Sequence, residues 1–264
     1  MSLSDARRSH HQLWGALLFF ALALLFLLLP AIDLWVVGWF YRPEAGFYMK
    51  QLPLTDAVFQ AVQEMAPVLL YGLGGGFVLS STVLRRQLGA HRARIGYLLV
   101  VLLLGPGLLV NVVLKNQIGR ARPDKIVEFG GTKEFSPAFY PADECASNCA
   151  FVSGHAALGF YPLSVGYVLP RRRLAWLIGG LLSGSFVGSL RIIQGRHFLS
   201  DVVFAFFAVF VVATLTYHLF RRFGWLPAMP TDAGKLTDGG VSSHQLIPHT
   251  NKTDHGQDLR PFTD

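Results

Sequence analysis

Six apolar runs, each close to the length that crosses a lipid bilayer, constrain the fold of this chain more than any other feature. A helix needs about 17–25 apolar residues to span the hydrocarbon core. Only 15% of the 264 residues are charged, whereas soluble domains carry about 25%. We therefore expect an all-α polytopic membrane bundle of six transmembrane helices within residues 1–226. The runs are Leu13–Ile32, Ala66–Leu84, Ile95–Leu114, Phe151–Leu169, Leu174–Leu190 and Val202–Phe220.

Arginine-rich segments between these runs orient the chain. With six spans they all fall on one side, which the positive-inside rule makes cytoplasmic. The first run lacks an Ala-x-Ala cleavage pattern, so we interpret it as a retained signal anchor. Both termini are then cytoplasmic, and the polar residues 227–264 form a disordered tail. The arginine-rich segments are 7–8, 85–94, 171–173 and 221–222.

The net charge of +7 raises the question of the binding partner. The cations lie beside apolar runs and do not form a basic stripe with interleaved aromatic residues, so the pattern is not that of a nucleic-acid-binding protein. The bilayer and an anionic lipid are the expected partners.

Three polar stretches lie at the predicted outer edges of the runs: Lys115–Pro123, Ser153–His155 and Arg191–Asp201. Charged groups at a membrane edge are costly to desolvate and therefore indicate function. From these stretches we single out three cations (Lys115, Arg122 and Arg191), two histidines and one carboxylate, a set suited to binding and transferring a phosphate. We expect the long outer loop Asn116–Ala150 to bear part of this active site.

Lys115 and Arg122 are seven residues apart and would share a face if the helix continued between them. Pro123 disfavours helical geometry at Arg122, so we expect the helix to end about there. Two cations at a helix end can neutralise a phosphate. The alternative is a pair of interfacial side chains without a catalytic role.

Ser153, Gly154 and His155 open the fourth predicted helix. A helix N-terminus offers unpaired N–H groups to an anion, Ser153 adds a hydroxyl, and Gly154 allows close approach to the backbone. His155 could donate a proton to a leaving oxygen. The alternative is a capping serine beside an incidental histidine.

Arg191 and His197 flank the break between the last two predicted helices, and Asp201 follows His197 by one helical turn. A carboxylate at that spacing can hold one imidazole nitrogen as N–H and leave the other as a nucleophile. The alternative is a His–Asp pair that only caps the last helix.

The order Lys115-x6-Arg122-Pro123, Ser153-Gly154-His155, Arg191-x5-His197-x3-Asp201 resembles the type 2 phosphatidic acid phosphatase (PAP2) superfamily, which includes lipid phosphate phosphatases. The resemblance implies that His197 attacks phosphorus to form a phosphohistidine, that Asp201 orients it, and that His155 protonates the leaving group. It also implies that fixed donors replace a metal or other cofactor. The implied phosphate-binding residues are Lys115, Arg122, Ser153, Gly154 and Arg191.

Two positions depart from the family pattern. Val152 stands where proline is usual, and Leu190 stands where serine is usual, although Ser189 precedes it. We expect Leu190 to remove one phosphate donor, and neither change removes a catalytic group.

Cys145 and Cys149 lie on the predicted outer side, just before the fourth run. An oxidising compartment favours a disulfide between them. A zinc site that uses both cysteines with His155 is the alternative, and free thiols are a third.

These observations predict a metal-independent lipid phosphatase of the bacterial inner membrane with a periplasmic active site. Candidate substrates are lipid A phosphate, undecaprenyl diphosphate, phosphatidylglycerol phosphate and phosphatidic acid. The Cys-x3-Cys loop running into Phe151–His155 resembles bacterial lipid A phosphatases. A lipid phosphotransferase on the same scaffold is the first alternative. A transporter of anionic lipid would need polar residues along the middle of several helices, which are almost wholly apolar here.

Overall fold

The computed structural model describes residues 3–226, and most of them are helical. The predicted tail, residues 227–264, lies outside the described residues. The α-helices are α1 (Leu3–Leu28), α2 (Ala31–Gly38), α3 (Pro53–Ser81), α4 (Arg85–Leu88), α5 (Arg92–Leu102), α6 (Lys115–Gln117), α7 (Gly154–Phe160), α8 (Val165–Val168), α9 (Arg173–Ile193) and α10 (Leu199–Arg222). A π-helix, Leu103–Leu114, joins α5 to α6.

Four helical segments within residues 3–226 are long and apolar enough to cross a membrane: Pro53–Ser81, Gly89–Leu114, Pro170–Ile193 and Leu199–Arg222. The segment Leu13–Leu28 and helix α2 give a fifth if they count as one span, but they meet at 81°. The bend lies at Pro30, which precedes α2 and has no N–H to continue the helical ladder. The chain is therefore a mostly helical, multi-pass membrane protein.

The run Phe151–Leu169, predicted as one span, does not form one long helix. It contains α7, a 3₁₀ turn over Tyr161–Ser164, and α8. Pro162 lies in that turn and cannot donate a backbone hydrogen bond, so the ladder changes there. The layout of six spans remains a prediction.

The short helix α7 lies in the core of the fold and packs against α9. A Cβ atom added to Gly159 would lie 2.9 Å from the Cα of Gly184, so the two backbones are in close contact. Small residues at such contacts allow membrane helices to approach each other. Residues from Ala156 to Phe160 are buried, which fixes the first turn of α7 within the protein.

The helix that carries Lys115 ends earlier than predicted, at Gln117. Gly119 then adopts a left-handed φ of +61°, and a side chain there would collide with the carbonyl group of Ala142. Arg122 is extended, with φ −80° and ψ 154°. The prediction that Lys115 and Arg122 share a helix face is therefore wrong, because the glycine turn ends the helix first.

The chain also contains a small antiparallel hairpin that the all-α prediction missed. Strands β1 (Tyr41–Arg42) and β2 (Gly46–Phe47) form it, with Tyr41 paired with Phe47. The connection from residue 118 to 153 contains two 3₁₀ turns, Pro123–Lys125 and Val127–Phe129. Phe47 of the hairpin and Asp124 of this connection both contact Gly195, which follows α9.

Candidate active site

Residues from all three sequence motifs line one cavity of about 420 Å³, which we call the reaction cavity. Its walls come from α3, α6, α7, α9 and the connections that follow α6 and α9. Ser153 and Asp201, the other two predicted site residues, are fully buried and do not line it. The motif residues in its lining are Lys115, Arg122, Gly154, His155, Arg191 and His197.

His197 is held by one ring nitrogen. Its Nδ1 atom lies 2.8 Å from the carbonyl oxygen of Ala150 and 3.4 Å from Oδ2 of Asp201. Because both neighbours are acceptors, this geometry assigns the proton to Nδ1 and leaves the lone pair on Nε2. Burial lowers the pKa of His197 to about 4, although Asp201 opposes the shift. The imidazole is therefore neutral at pH 7, as a nucleophile must be.

Asp201 makes the contacts that both interpretations of the sequence require. Its Oδ2 atom accepts a 2.8 Å hydrogen bond from the backbone N–H of Phe198, which caps α10, and it also faces Nδ1 of His197. The carbonyl of Ala150 is the nearer partner of His197, so Asp201 shares the orienting role with the backbone.

Arg120, which sequence analysis missed, lies behind the candidate site and contacts Asp201. Its guanidinium binds Oδ1 of Asp201 at 2.7 Å and Oδ2 of Asp33 at 2.8 Å, and all three side chains are fully buried. It also lies 4.0 Å from the ring centroid of Phe198 and donates to Ser200 and to the carbonyl of Ser136. Two buried carboxylates need such a cation, since unpaired buried charges are very unfavourable. In the sequence, the only signal for this buried network was Asp33, the acidic residue that follows the first apolar run.

Lys115 and Arg122 converge on Asn148, a second residue that the sequence did not single out. The Lys115 ammonium donates to Oδ1 of Asn148 at 2.9 Å, and Arg122 donates to its backbone carbonyl at 2.7 Å. Asn148 has a left-handed φ of 52° and lines the reaction cavity. Burial, with the nearby charges of Arg122 and Arg191, lowers the pKa of Lys115 to about 8.

A disulfide between Cys145 and Cys149 closes the short loop that contains Asn148. The next residue, Ala150, receives the His197 hydrogen bond through its carbonyl and donates its own N–H to the carbonyl of Arg120 at 2.9 Å. The disulfide uses both sulfur atoms, so the zinc alternative lacks its thiolate ligands. The loop thus links Lys115 and Arg122 to His197.

Arg191 is buried at the cavity wall with an unused donor. Its NH1 atom donates to Oε1 of Gln194 at 2.5 Å, whereas its Nε atom has no partner within residues 3–226. The guanidinium lies 4.8 Å from the ring centroid of Phe59, and the same ring stacks on His155 at 4.8 Å. An unsatisfied buried donor beside a cavity is available to an anion.

Gly154 lies where the first turn of α7 meets the π-helix. A Cβ atom there would lie 2.5 Å from Oδ1 of Asn111 and 3.3 Å from the Lys115 ammonium, so any side chain would enter the cavity. Ser153 faces the other way: its Oγ atom accepts a 3.3 Å hydrogen bond from the N–H of Ala156. The structure therefore places Ser153 as the cap of α7, and its phosphate contact stays a prediction.

The two departures from the family pattern are both buried. Val152 is fully enclosed and Leu190 is 8% exposed. Ser189 donates to the carbonyl of Ser185 at 2.8 Å and does not line the reaction cavity, so it does not replace a serine at position 190.

A multi-pass helical protein with two histidines and five cations around one cavity has the composition of a phosphate-ester hydrolase. Comparison with known proteins gives the same class: the PAP2 superfamily profile matches residues 94–225. The lipid A 4′-phosphatase of Francisella tularensis subsp. novicida is 31% identical over 214 residues, which cover 80% of this chain and 96% of that protein. The chain therefore belongs to the PAP2 superfamily and is a hydrolase that acts on phosphate esters.

Two further relatives come from Rhizobium. The lipid A 1-phosphatase of Rhizobium etli is 32% identical over 230 residues, covering 84% of this chain and 92% of that protein. The lipid A 4′-phosphatase of Rhizobium leguminosarum is 40% identical over 113 residues, covering 42% of this chain and 48% of that protein. No solved structure matches the chain.

Proposed function

We propose that this protein is a lipid A phosphatase of the bacterial inner membrane, and that it works through a phosphohistidine at the periplasmic face. One observation carries the proposal: residues from three distant motifs line a single cavity, with His197 held through Nδ1 and free at Nε2. The lipid A phosphatases among its relatives support lipid A over the other candidate lipids.

In the first step, Nε2 of His197 forms a bond to phosphorus while the bond from phosphorus to the lipid oxygen breaks. His155 gives a proton to that departing oxygen. In the second step, His155 takes a proton from water, the water oxygen attacks phosphorus, and the N–P bond breaks to release inorganic phosphate. Asp201 and the Ala150 carbonyl stabilise the His197 N–H throughout.

Three of the five basic side chains that line the reaction cavity, Lys115, Arg122 and Arg191, bind the phosphoryl oxygens. The Arg191 Nε donor is unused in the empty cavity, and Lys115 can exchange its Asn148 contact for an oxygen of the substrate. Arg122 adds a second guanidinium next to the same asparagine. Preorganised cations of this kind stabilise the charge that develops in the transition state, so the proposed reaction needs no metal ion.

We also propose a membrane placement. The broken helix α7–α8 is an additional crossing, the fourth along the chain, which brings the total to six, with both termini in the cytoplasm and the reaction cavity at the outer head-group level. The disulfide beside the cavity supports this side, because disulfides persist in oxidising compartments. The phosphate can then enter the cavity while the acyl chains stay in the bilayer.

The proposal is tested with purified protein in detergent, a chelator of divalent metals, and a panel of lipid A, undecaprenyl diphosphate, phosphatidylglycerol phosphate and phosphatidic acid. We expect release of free phosphate, fastest from lipid A, and its loss in His197→Ala. A matched control is His91→Ala, since His91 is exposed and outside the cavity. Full activity in His197→Ala would show that His197 is not the nucleophile. Release that requires added metal overturns the metal-free mechanism.

The proposed phosphohistidine intermediate can be detected directly. Brief reaction with labelled lipid phosphate, followed by denaturation in alkali, should leave label on the wild type and none on His197→Ala. An added lipid acceptor separates the enzyme classes: a hydrolase continues to release inorganic phosphate, whereas a phosphotransferase makes a new phospholipid.

A further inference from the structure

A second cavity of about 490 Å³ lies beside the reaction cavity, and the mechanism above does not use it. We call it the hairpin cavity because the β1–β2 hairpin forms one wall and the Pro123–Lys125 and Val127–Phe129 turns form the other. Lys50 lines both cavities. The lining residues are Tyr41, Ala45, Gly46, Phe47, Tyr48, Lys50, Gln51, Asp124, Lys125 and Phe129.

Asp124 separates the two cavities and has unused acceptor capacity. Its Oδ2 atom pairs with Lys50 and with Arg196, each at 3.3 Å, and both of these cations line the reaction cavity. Its Oδ1 atom has no hydrogen-bond partner in the described part of the chain, although the side chain is only 8% exposed. Such a buried, unpaired oxygen is rare in native proteins and needs an explanation.

The remaining walls combine aromatic faces with polar edges. Tyr41, Phe47 and Phe129 form a cluster with ring centroids 5.2 to 5.6 Å apart. Lys125 and Gln51 add donors at the polar edge. A cavity that combines aromatic faces with several polar groups is suited to a small, partly polar molecule.

We propose that the hairpin cavity binds a sugar ring of the lipid head group while the phosphate on that head group occupies the reaction cavity. The inference rests on the proposed function and adds to it a binding site for the sugar part of the substrate. A sugar ring has C–H faces that pack on aromatic rings and hydroxyl edges that donate to a carboxylate. An acyl chain would desolvate the charged groups, and a metal ion would be repelled by Lys50 and Lys125.

The hairpin cavity has a fixed position relative to the nucleophile. Phe47 packs against Gly195, where an added Cβ atom would lie 2.5 Å from the Phe47 ring. The N–H of Asp124 donates to the carbonyl of the same glycine at 2.9 Å. Gly195 precedes His197 by two residues, so both walls of the hairpin cavity are anchored on the segment that carries the nucleophile. This arrangement selects a phosphate at a set distance from the bound sugar.

The test uses Tyr48→Ala and Gln51→Ala, because both side chains line the hairpin cavity and are exposed enough to change without disturbing the core. Tyr140→Ala is the matched control, an exposed tyrosine outside both cavities. We expect the KM for lipid A to rise about 3- to 10-fold at unchanged kcat, the effect of losing one or two modest contacts. Kinetics on phosphatidic acid, which has no sugar, should not change.

The outcomes separate the two proposals. If the wild type hydrolyses both lipids and the variants alter both equally, or neither, the sugar site is wrong and the proposed function stands. If the wild type releases phosphate from neither lipid, the proposed function is wrong. Binding of dephosphorylated lipid A, measured by thermophoresis, then tests the sugar site by itself: equal affinity of the wild type and Tyr48→Ala overturns it.

Discussion

The Asp201 carboxylate accepts a 2.7 Å hydrogen bond from Arg120, and neither side chain is exposed to solvent. The same guanidinium binds Asp33, 87 residues away in the sequence. Arg120 therefore fixes the carboxylate that faces His197 and ties it to helix α2. We infer that Arg120 is a positioning residue, since it acts on the reaction only through Asp201.

Replacing Arg120 with methionine should destabilise the protein and reduce activity. Removing one partner of a buried ion pair leaves an uncompensated charge and costs about 3–5 kcal/mol. Displacement of Asp201 should lower kcat by about a hundredfold, the order expected for a misplaced catalytic group. Thermal unfolding in detergent and phosphate release measure the two effects.

A matched control for the arginine variant is Lys133→Met, which breaks the partly exposed pair with Glu144. Pairs of that kind contribute about 0–1 kcal/mol, so its stability and activity should stay close to wild type. If Arg120→Met does not fold, Asp33→Asn loosens the same network while Arg120 stays on Asp201. A normal melting temperature and normal kcat in both Arg120→Met and Asp33→Asn would contradict the positioning role.

Lys115 should produce an alkaline limit of activity. Its pKa is lowered to about 8, so the ammonium form predominates below that pH and is lost as the pH rises through it. Since only the ammonium binds phosphate, kcat/KM should fall above about pH 8. A guanidinium stays charged at any accessible pH, so Lys115→Arg should keep its own kcat/KM at higher pH. If kcat/KM falls at the same alkaline pH in the wild type and in Lys115→Arg, a group other than Lys115 sets the alkaline limit.

The sequence predicted the chemistry of the site better than its supporting structure. Lys115, Arg122, His155, Arg191 and His197 could be chosen because cations and imidazoles are costly at a membrane edge, and all five line one cavity. Their supports could not be predicted in the same way. A backbone carbonyl such as that of Ala150 carries no signal in the side-chain pattern.

In the fold, too, some features could be predicted from the sequence and others could not. Hydropathy predicts apolar runs, but it does not show where a run breaks. The break at Pro162, which has no N–H to donate, leaves the hydropathy of the run unchanged. The Asp33–Arg120 contact joins two charges that hydropathy assigns to separate interfacial segments. Ser153 has two roles open to it in the sequence, and only the fold shows that its hydroxyl turns toward Ala156.

The disulfide loop gives a redox prediction. Reduction of Cys145–Cys149 should free the loop that holds Asn148 against Lys115 and Arg122, so we expect kcat/KM to fall about tenfold. The closed loop is short, so its loss should lower stability by only about 2 kcal/mol. Phosphate release is measured with and without dithiothreitol.

A protein with Cys145→Ser and Cys149→Ser together is the control for reduction. It should show the lower activity in oxidising buffer and no further response to dithiothreitol. Asn148→Ala, which keeps the disulfide, should reproduce most of the loss if the loop acts through this side chain. Equal activity of the reduced and oxidised wild type would show that the loop keeps its geometry without the disulfide.

Phe59 lies against both the proposed acid and one phosphate-binding cation, with the His155 ring stacked at 4.8 Å and the Arg191 guanidinium at 4.8 Å. Phe59→Leu keeps an apolar side chain but removes the ring, and each lost contact contributes about 0.5–2 kcal/mol. We expect KM to rise because Arg191 is less ordered, and kcat to fall because His155 is less well aimed. Phe59→Tyr retains the ring face and should behave like wild type. A change in Phe59→Leu confined to KM would show that the ring orders only Arg191, and unchanged kinetics would contradict both contacts.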